Sequence, residues 1–179
     1  MTNFPLRVAA TVVALTSLVS VAWSSSPTFS AFNSHAYLKA SNTDLGDRFG
    51  FAVAADGDVL VVGAFNESGD VEPDTGEGAV YVYSASAGTP QFVTRLKASN
   101  ADVGDLFGGS VAVSGDTIVV GAPHEASLSG DPGDNSFSRV GAVYVFQRDG
   151  GGNWSQLAYL KPSNLAKSRS FGQSVAIDG

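Results

Sequence analysis

The sequence predicts an all-β fold built from repeated four-stranded antiparallel sheets, the arrangement found in the blades of a β-propeller. A block of 28 residues beginning at Leu38 recurs from Leu96 with 18 identical positions. Within each period, short runs of β-branched and aromatic residues alternate with glycine-containing turns, and none of these windows has the 3.6-residue period of a helix. Four short strands in roughly 60 residues, repeated head to tail, predict one blade for each period.

Two complete blades and partial flanking blades are expected. The repeats run from about residue 38 to 95 and from 96 to 159, and a partial third copy occupies residues 160–179. Phe49 and Phe107 stand 58 residues apart, whereas Phe107 and Phe171 stand 64 apart. Most of this difference lies in the loop after each Gly-Ala pair, so the frame is constant and the loops vary.

Each complete repeat is predicted to begin with a hairpin, because Asp56-Gly57-Asp58 and Ser114-Gly115-Asp116 are tight-turn sequences between apolar runs. The predicted strands of these repeats include residues 49–55, 59–62, 78–83, 91–97, 118–120 and 155–161. An additional fourth strand over residues 36–39 and a last strand over residues 171–177 are expected to flank them.

The amino end has the layout of an export signal. Residues 1–22 contain Arg7 and then 15 apolar or small residues, followed by a polar stretch. This predicts a cleaved signal peptide over residues 1–22, a linker over residues 23–35 and the repeat segment over residues 36–179. A retained anchor with Trp23 at the membrane interface is the alternative, although the apolar run is shorter than the ~20 residues of a spanning helix.

Composition excludes several classes of function. The chain has 17 acidic and 10 basic residues and a net charge of −7, which argues against a nucleic-acid partner. It has no cysteine, so disulfide scaffolds, thiolate metal sites and cysteine nucleophiles are excluded. Only two histidines occur, His35 and His124, and both are expected at the surface.

Recurring Phe-Gly and Gly-Ala motifs resemble the FG-GAP repeat of the integrin alpha-chain β-propeller, particularly the bacterial long-loop type. The motif residues are Phe49, Gly50, Gly63, Ala64, Phe107, Gly108, Gly121, Ala122, Pro123, Phe171 and Gly172. The resemblance implies a propeller, usually of seven blades, in an exported or cell-surface protein that binds partners through loops on one face. We expect the rings of Phe49 and Phe107 to pack between neighbouring blades.

The resemblance also suggests calcium, but the hairpins that would hold it are too short here to supply six to eight oxygen ligands. Weak candidates remain in two repeated turns formed by Asn42, Asp44, Asp47, Asn100, Asp102 and Asp105. The simpler interpretation is that these side chains close Asx turns beside glycine. No cofactor is therefore expected beyond weak calcium binding, at about 10⁻⁴ to 10⁻³ M.

Two further carboxylate clusters lie in the variable loops, and solvated loop charge is expected for both, with a binding surface as the alternative. Their members are Glu67, Asp70, Glu72, Asp74 and Glu77 in the first repeat and Glu125, Asp131 and Asp134 in the second. Ser110 and Ser174 lack the Gly-x-Ser-x-Gly frame of a nucleophile elbow.

The sequence therefore predicts an exported, non-catalytic propeller module for binding or adhesion at the cell surface or outside the cell. Identity between the repeats lies in the frame, while the loops differ, as expected for a scaffold that presents variable loops. The expected partners are an extracellular protein or glycan, and either further propeller blades of a longer chain or a second copy of this one. A propeller-based hydrolase fragment and a structural repeat spacer of an envelope protein are the alternatives.

Overall fold

The computed structural model of the chain describes residues 37–42, 44–68, 76–86, 89–127, 139–164 and 169–179. These residues form two antiparallel sheets of four strands each, with strand orders β1-β2-β3-β4 and β5-β6-β7-β8. The strands are β1 (Phe49–Asp56), β2 (Val59–Ala64), β3 (Ala79–Ser84), β4 (Gln91–Leu96), β5 (Ser110–Ser114), β6 (Thr117–Ala122), β7 (Ala142–Arg148) and β8 (Trp154–Leu160). The prediction of two four-stranded blades is confirmed.

Both hairpins form where the sequence placed them. Asp56 pairs with Val59 across the first turn, and Ser114 pairs with Thr117 across the second. Gly57 and Gly115 have φ values of 57° and 53°, the left-handed conformation that glycine adopts without a steric cost.

Later strands of the two sheets also match in register. Each blade shifts register at the same place, between Val82 and Tyr83 in β3 and between Val145 and Phe146 in β7. The repetition of the irregularity shows that the two blades share one backbone design. Among the described residues, no helix is long and apolar enough to span a membrane.

The main core lies between the two blades. Val59 and Val61 from the first blade and Ile118 and Val120 from the second belong to one buried cluster, and all four are at most 3% exposed. Phe107 lies in the same cluster. Both faces of β2 are buried, so its sequence is a continuous apolar run. A strand with one solvent-exposed face would instead alternate apolar and polar residues.

The strands predicted near the two ends of the repeat segment are not present in the described residues. The predicted strand over residues 171–177 is wrong, because these residues contribute only an isolated bridge between Gly141 and Phe171. Residues 37–39 of the predicted additional strand are not in a strand either. The predicted signal peptide, linker and residue 36 lie outside the described residues.

Candidate functional site

Consecutive repeats are joined by backbone contacts of their Phe-Gly motifs, and these contacts are here called the clasp. Phe107 forms a parallel bridge with Gly78 of the preceding blade, and its N–H donates to the Glu77 carbonyl oxygen at 3.1 Å. Phe171 repeats the contact on the second blade, where it bridges to Gly141 and donates to the Val140 carbonyl oxygen at 3.0 Å. The partial third repeat is therefore docked like the second.

Glycine is required on both sides of this clasp. A Cβ on Gly63 would collide with the carbonyl oxygen of Gly108, and a Cβ on Gly121 would collide with that of Gly172. Gly108 itself lies at φ 90°, and a Cβ there would stand 2.6 Å from the carbonyl oxygen of Ala79. The glycines of the Phe-Gly and Gly-Ala motifs thus allow the backbones of neighbouring blades to approach closely.

A strained residue precedes each of these phenylalanines. Arg48, Leu106 and Ser170 have φ values of 58°, 60° and 59°, although none is glycine. Hydrogen bonds hold the two later ones: the N–H of Leu106 donates to the Gly76 carbonyl oxygen at 3.1 Å, and that of Ser170 to the Arg139 carbonyl oxygen at 2.8 Å. After this left-handed residue the ring of Phe107 is fully buried, and the rings of Phe49 and Phe171 are partly buried.

The two rings that were expected between blades differ in burial. Phe107 is fully buried and packs edge to face on Tyr144 and Phe146, at centroid distances of 5.3 and 5.9 Å. This confirms the expectation for Phe107. Phe49 makes the same contact with Tyr81 at 5.3 Å but is only partly buried.

The repeated turns that were candidates for calcium are closed by hydrogen bonds of their own. Asp47 Oδ2 accepts the N–H of Asp44 at 2.9 Å, and Asp105 Oδ2 accepts the N–H of Asp102 at 3.1 Å. The side chains thus close the turns, as the simpler interpretation expected, but each bonds the N–H three residues before it, whereas an Asx turn uses the N–H two residues after it. Among the described residues, no group of three or more histidine, aspartate or glutamate side chains is arranged to hold a metal ion.

A glutamate is buried beside the first turn, contrary to the expectation of solvated loop charge. Glu67 is 0% exposed, and its Oε1 accepts hydrogen bonds from the Arg95 guanidinium at 3.0 Å and from Asn42 Nδ2 at 3.3 Å. The Tyr81 hydroxyl also contacts Glu67 and Asn42. A buried carboxylate is tolerated because a cation and hydrogen-bond donors surround it.

The second repeat buries an equivalent glutamate that keeps the asparagine partner but is paired with a different cation. Glu125 is 1% exposed and contacts the Lys161 ammonium, while the Tyr159 hydroxyl donates to Oε1 at 2.7 Å. Asn100 Nδ2 donates to the same oxygen at 3.3 Å, and the Tyr144 hydroxyl donates to Asn100 at 2.8 Å. The solvated interpretation was therefore wrong for Glu125 as well.

Two surface cavities lie near this network and share His124. The smaller cavity, here called the apolar groove, has a volume of about 170 Å³. Its lining residues are Phe51, Phe65, Leu106, Gly109, Pro123, His124 and Gln173. The larger cavity, here called the polar pocket, has a volume of about 370 Å³ and is lined by Asp102, Val103, Gly104, Asp105, His124, Ala126 and Arg139.

A family model for the FG-GAP repeat matches residues 32–83 and 91–146, which together make up more than half of the chain. The chain belongs to the FG-GAP repeat family. No curated protein matched the sequence.

Sequence reasoning missed the buried glutamates of these FG-GAP repeats, although a signal for them was present. The aligned block ended at Phe65 and Pro123, and the next position differs, with Asn66 opposite His124. One position further, Glu67 stands opposite Glu125. Extending the alignment by two residues would have shown a glutamate shared by both repeats within otherwise divergent loops.

Burial shifts the acid–base behaviour of the FG-GAP network. It raises the pKa of Tyr81 and of Tyr144 well above the usual range, with the nearby glutamates adding to the effect. It also raises the pKa of Asp105 to about 7, which the negative charge of Glu125 reinforces and the hydrogen bond from Asp102 opposes. Burial lowers the pKa of His124.

Other residues singled out in the sequence have simpler surroundings. Glu77 forms an ion pair with Lys97 at 3.2 Å. The Ser110 hydroxyl donates to the Gly172 carbonyl oxygen at 2.8 Å and so reinforces the clasp, and Ser174 is exposed. The remaining predicted carboxylates and the other histidine lie outside the described residues, namely Asp70, Glu72, Asp74, Asp131, Asp134 and His35.

Proposed function

We propose that this FG-GAP chain is an exported, non-catalytic β-propeller module that binds an extracellular protein or glycan through the apolar groove. The groove is smaller than a typical small-molecule pocket, but its apolar lining with a few polar groups is the composition usual at ligand-binding sites. His124 and Gln173 supply the polar groups of the groove, and Phe51 and Phe65 supply an aromatic wall whose rings lie 4.4 Å apart.

The proposal rests on which positions differ in sequence between the repeats. Every residue that lines the groove stands at a position where the aligned repeats have different residues. Position 51, for example, is phenylalanine in the first repeat, glycine at 109 in the second and glutamine at 173 in the third. By contrast, the asparagine, glutamate and tyrosine of the buried network are the same in both complete repeats. A constant frame with a divergent cavity is the pattern expected of a binding scaffold.

Non-catalytic action is part of this proposal, and a hydrolase built on the same fold is the competing function. The best-placed buried carboxylates, Glu67 and Glu125, are each paired with a cation inside the blade. This pairing favours a structural role for both carboxylates. Hydrolysis of chromogenic ester, phosphodiester and glycoside substrates by the purified chain, lost in Glu125→Gln but retained in a matched surface variant, would favour the hydrolase instead.

The binding proposal is tested with glycan and matrix-protein panels and the purified 179-residue chain. Phe51 is 59% exposed and lines the groove, so Phe51→Ala should weaken binding to any partner found by at least tenfold. Leu157→Ala is the matched control, because Leu157 is a similarly exposed apolar residue on β8, at 65%. Equal loss in both variants, or no partner on either panel, would argue for the structural spacer.

A second contact surface is proposed on the outer face of the second blade, for a further blade or a second copy of the chain. Leu96 is 5% exposed between the blades, whereas its counterpart Leu160 is 45% exposed. Val61 is likewise fully buried, while its counterpart Val119 is only partly so. We expect concentration-dependent self-association in sedimentation velocity, reduced by Leu160→Glu and unchanged by Leu157→Glu.

Export is supported by the apolar run within residues 1–22. Expression of the full chain in a secreting host, followed by amino-terminal sequencing of the product, tests this part of the proposal. A mature product beginning at Trp23 is expected. A product that keeps its amino terminus and sediments with membranes would instead support the retained anchor.

A further inference from the structure

We propose that the turn from Asp102 to Leu106 is a pH-sensitive hinge, in which ionisation of Asp105 changes the shape of the apolar groove. The inference concerns regulation of the groove and therefore rests on the proposed function. It requires that Asp105 change its charge near neutral pH and that this change be transmitted to residues lining the groove.

Asp105 is placed where a negative charge is poorly compensated. Asp105 is only 4% exposed, and one of its carboxylate oxygens accepts the N–H of Asp102. Negative charges on Asp102 and Glu125 act on it, and the Lys161 ammonium, whose positive charge opposes them, is in contact with Glu125. The other titratable or charged groups facing this region are His124 and Arg139 across the polar pocket and the hydroxyls of Tyr144 and Tyr159.

These surroundings bring the titration of Asp105 into the neutral range. Burial is the largest cause, and the charges of Glu125 and Asp102 add to it, so that the pKa rises from 3.8 to about 7. The protonated carboxyl needs no compensating cation, whereas the carboxylate is in electrostatic conflict with Glu125. Both forms are therefore populated between pH 6 and 8.

Two groove residues are attached directly to Asp105. Leu106 follows it in the chain, holds a left-handed φ of 60° and lines the groove. The N–H of His124 donates to the Asp105 carbonyl oxygen at 3.2 Å, and His124 lines both the groove and the polar pocket. A backbone shift of Asp105 on ionisation would therefore be transmitted to both of these groove residues.

The first repeat supplies a matched control. Asp47 makes the same turn bond, and the N–H of Asn66 donates to its carbonyl oxygen at 3.3 Å, as His124 does with Asp105. However, the described lining of the apolar groove includes neither Arg48 nor Asn66. Replacing Asp47 therefore disturbs an equivalent turn whose nearest groove residues are Phe51 and Phe65, and not Leu106, whose signals report on the Asp105 turn.

The test is an NMR titration of the Leu106 methyl groups in the 179-residue chain between pH 5 and 9. We expect an inflection near pH 7 in the unmodified chain, its loss in Asp105→Asn and its retention in Asp47→Asn. His124→Gln should also retain the inflection, which excludes the imidazole as its source. Because the measurement needs no ligand, failure to find a binding partner leaves its outcome interpretable.

Several results would overturn the hinge. They are a flat Leu106 titration in the unmodified chain, an unchanged inflection in Asp105→Asn, or an inflection that disappears in His124→Gln. If Asp105→Asn does not fold, the carboxyl carbon shift of Asp105 in the unmodified chain decides instead. A midpoint near pH 7 in step with Leu106 supports the hinge, whereas a midpoint below pH 5 contradicts it.

Discussion

In the first blade Glu67 is neutralised by the Arg95 guanidinium from β4, whereas in the second blade Glu125 is neutralised by Lys161, just beyond the end of β8. Tyr159 stands at the position of Arg95 and donates a hydroxyl where the arginine donates N–H. Lys97, the counterpart of Lys161, turns to Glu77 instead. Each repeat therefore has a buried carboxylate paired with one cation. The sequence position that supplies the cation differs between the two repeats.

This comparison shows what is constrained in the repeat. An unpaired buried carboxylate is costly, so the glutamate and some cation must change together. The asparagine that also binds the glutamate occurs in both copies, and in both it contacts the hydroxyl of the shared tyrosine, Tyr81 or Tyr144. The cation comes from a long side chain, which can reach the same place from two different positions.

The largest expected effect separates the two motif phenylalanines. Phe107 is fully buried between the blades, so Phe107→Ala should lower the free energy of unfolding by about 3–5 kcal/mol. Phe49→Ala should cost clearly less, because its ring is only partly buried. Urea unfolding of both variants measures the difference. Equal losses would mean that the first blade is packed on this side as tightly as the second.

Removing the cations should have the next largest effect and should also be unequal. Lys161→Met leaves the buried Glu125 without its cation and should cost about 3–5 kcal/mol. Arg95→Met should cost less, since the Arg95 side chain is 28% exposed and Lys161 only 9%, and water already screens the first pair. The double variant Glu125→Gln/Lys161→Met should recover much of the loss. Failure to recover it would mean that Lys161 acts through packing.

Asp105 should make the second blade less stable as the pH rises. Because its pKa is raised on folding, the folded chain binds more protons than the unfolded chain between pH 4 and 7. This contribution to stability is complete below pH 4, is lost as the pH rises through 7 and stays constant above that. At 1.36 kcal/mol per unit, the rise from 3.8 to about 7 corresponds to a loss of up to about 4 kcal/mol.

Asp105→Asn should remove this loss while keeping an oxygen to accept the Asp102 N–H. Thermal unfolding at pH 5 and pH 8 checks this, because only part of the loss has occurred at pH 5 and the variant should be stabilised by about 3 kcal/mol more at pH 8 than at pH 5. Asp149→Asn is a suitable control, since the pKa of Asp149 is lowered by hydrogen bonds from Asn153 in an exposed turn. The same stabilisation at both pH values would contradict the assignment to Asp105.

The smallest effect is expected from calcium. One carboxylate oxygen each of Asp47 and Asp105 already accepts a backbone N–H, and few other oxygens lie in these turns, so calcium should bind no more tightly than about 10⁻⁴ M. Calorimetric titration of chelator-treated protein measures this affinity in each blade through Asp44→Ala and Asp102→Ala. Micromolar binding that either substitution abolishes would restore the calcium interpretation.

The parts of the fold that could be predicted depend on local sequence. The turns at Gly57 and Gly115 need a left-handed residue, and the apolar runs on either side leave few other choices. The clasp was also predictable in outline, because a repeated glycine next to a repeated aromatic ring implies close packing. The burial of Glu67 was not, since its cation lies 28 residues away in the sequence.

Residues 171–177 failed as a strand for a related reason. A strand is established by its pairing, and the described residues offer this segment only the bridge at Phe171. Alternating apolar residues alone did not supply the missing partner. The groove was likewise not predictable, because it joins positions from three repeats that are related only after the blades have packed.

The left-handed residue before each motif phenylalanine has a consequence for protein engineering. Arg48, Leu106 and Ser170 show that this site accepts cationic, apolar and small polar side chains on one unchanging backbone. Backbone hydrogen bonds position the later two, so the turn itself does not depend on which side chain they carry. A library that varies this residue together with the one after each Phe-Gly pair would diversify neighbouring surface sites while leaving the blade-to-blade joint intact.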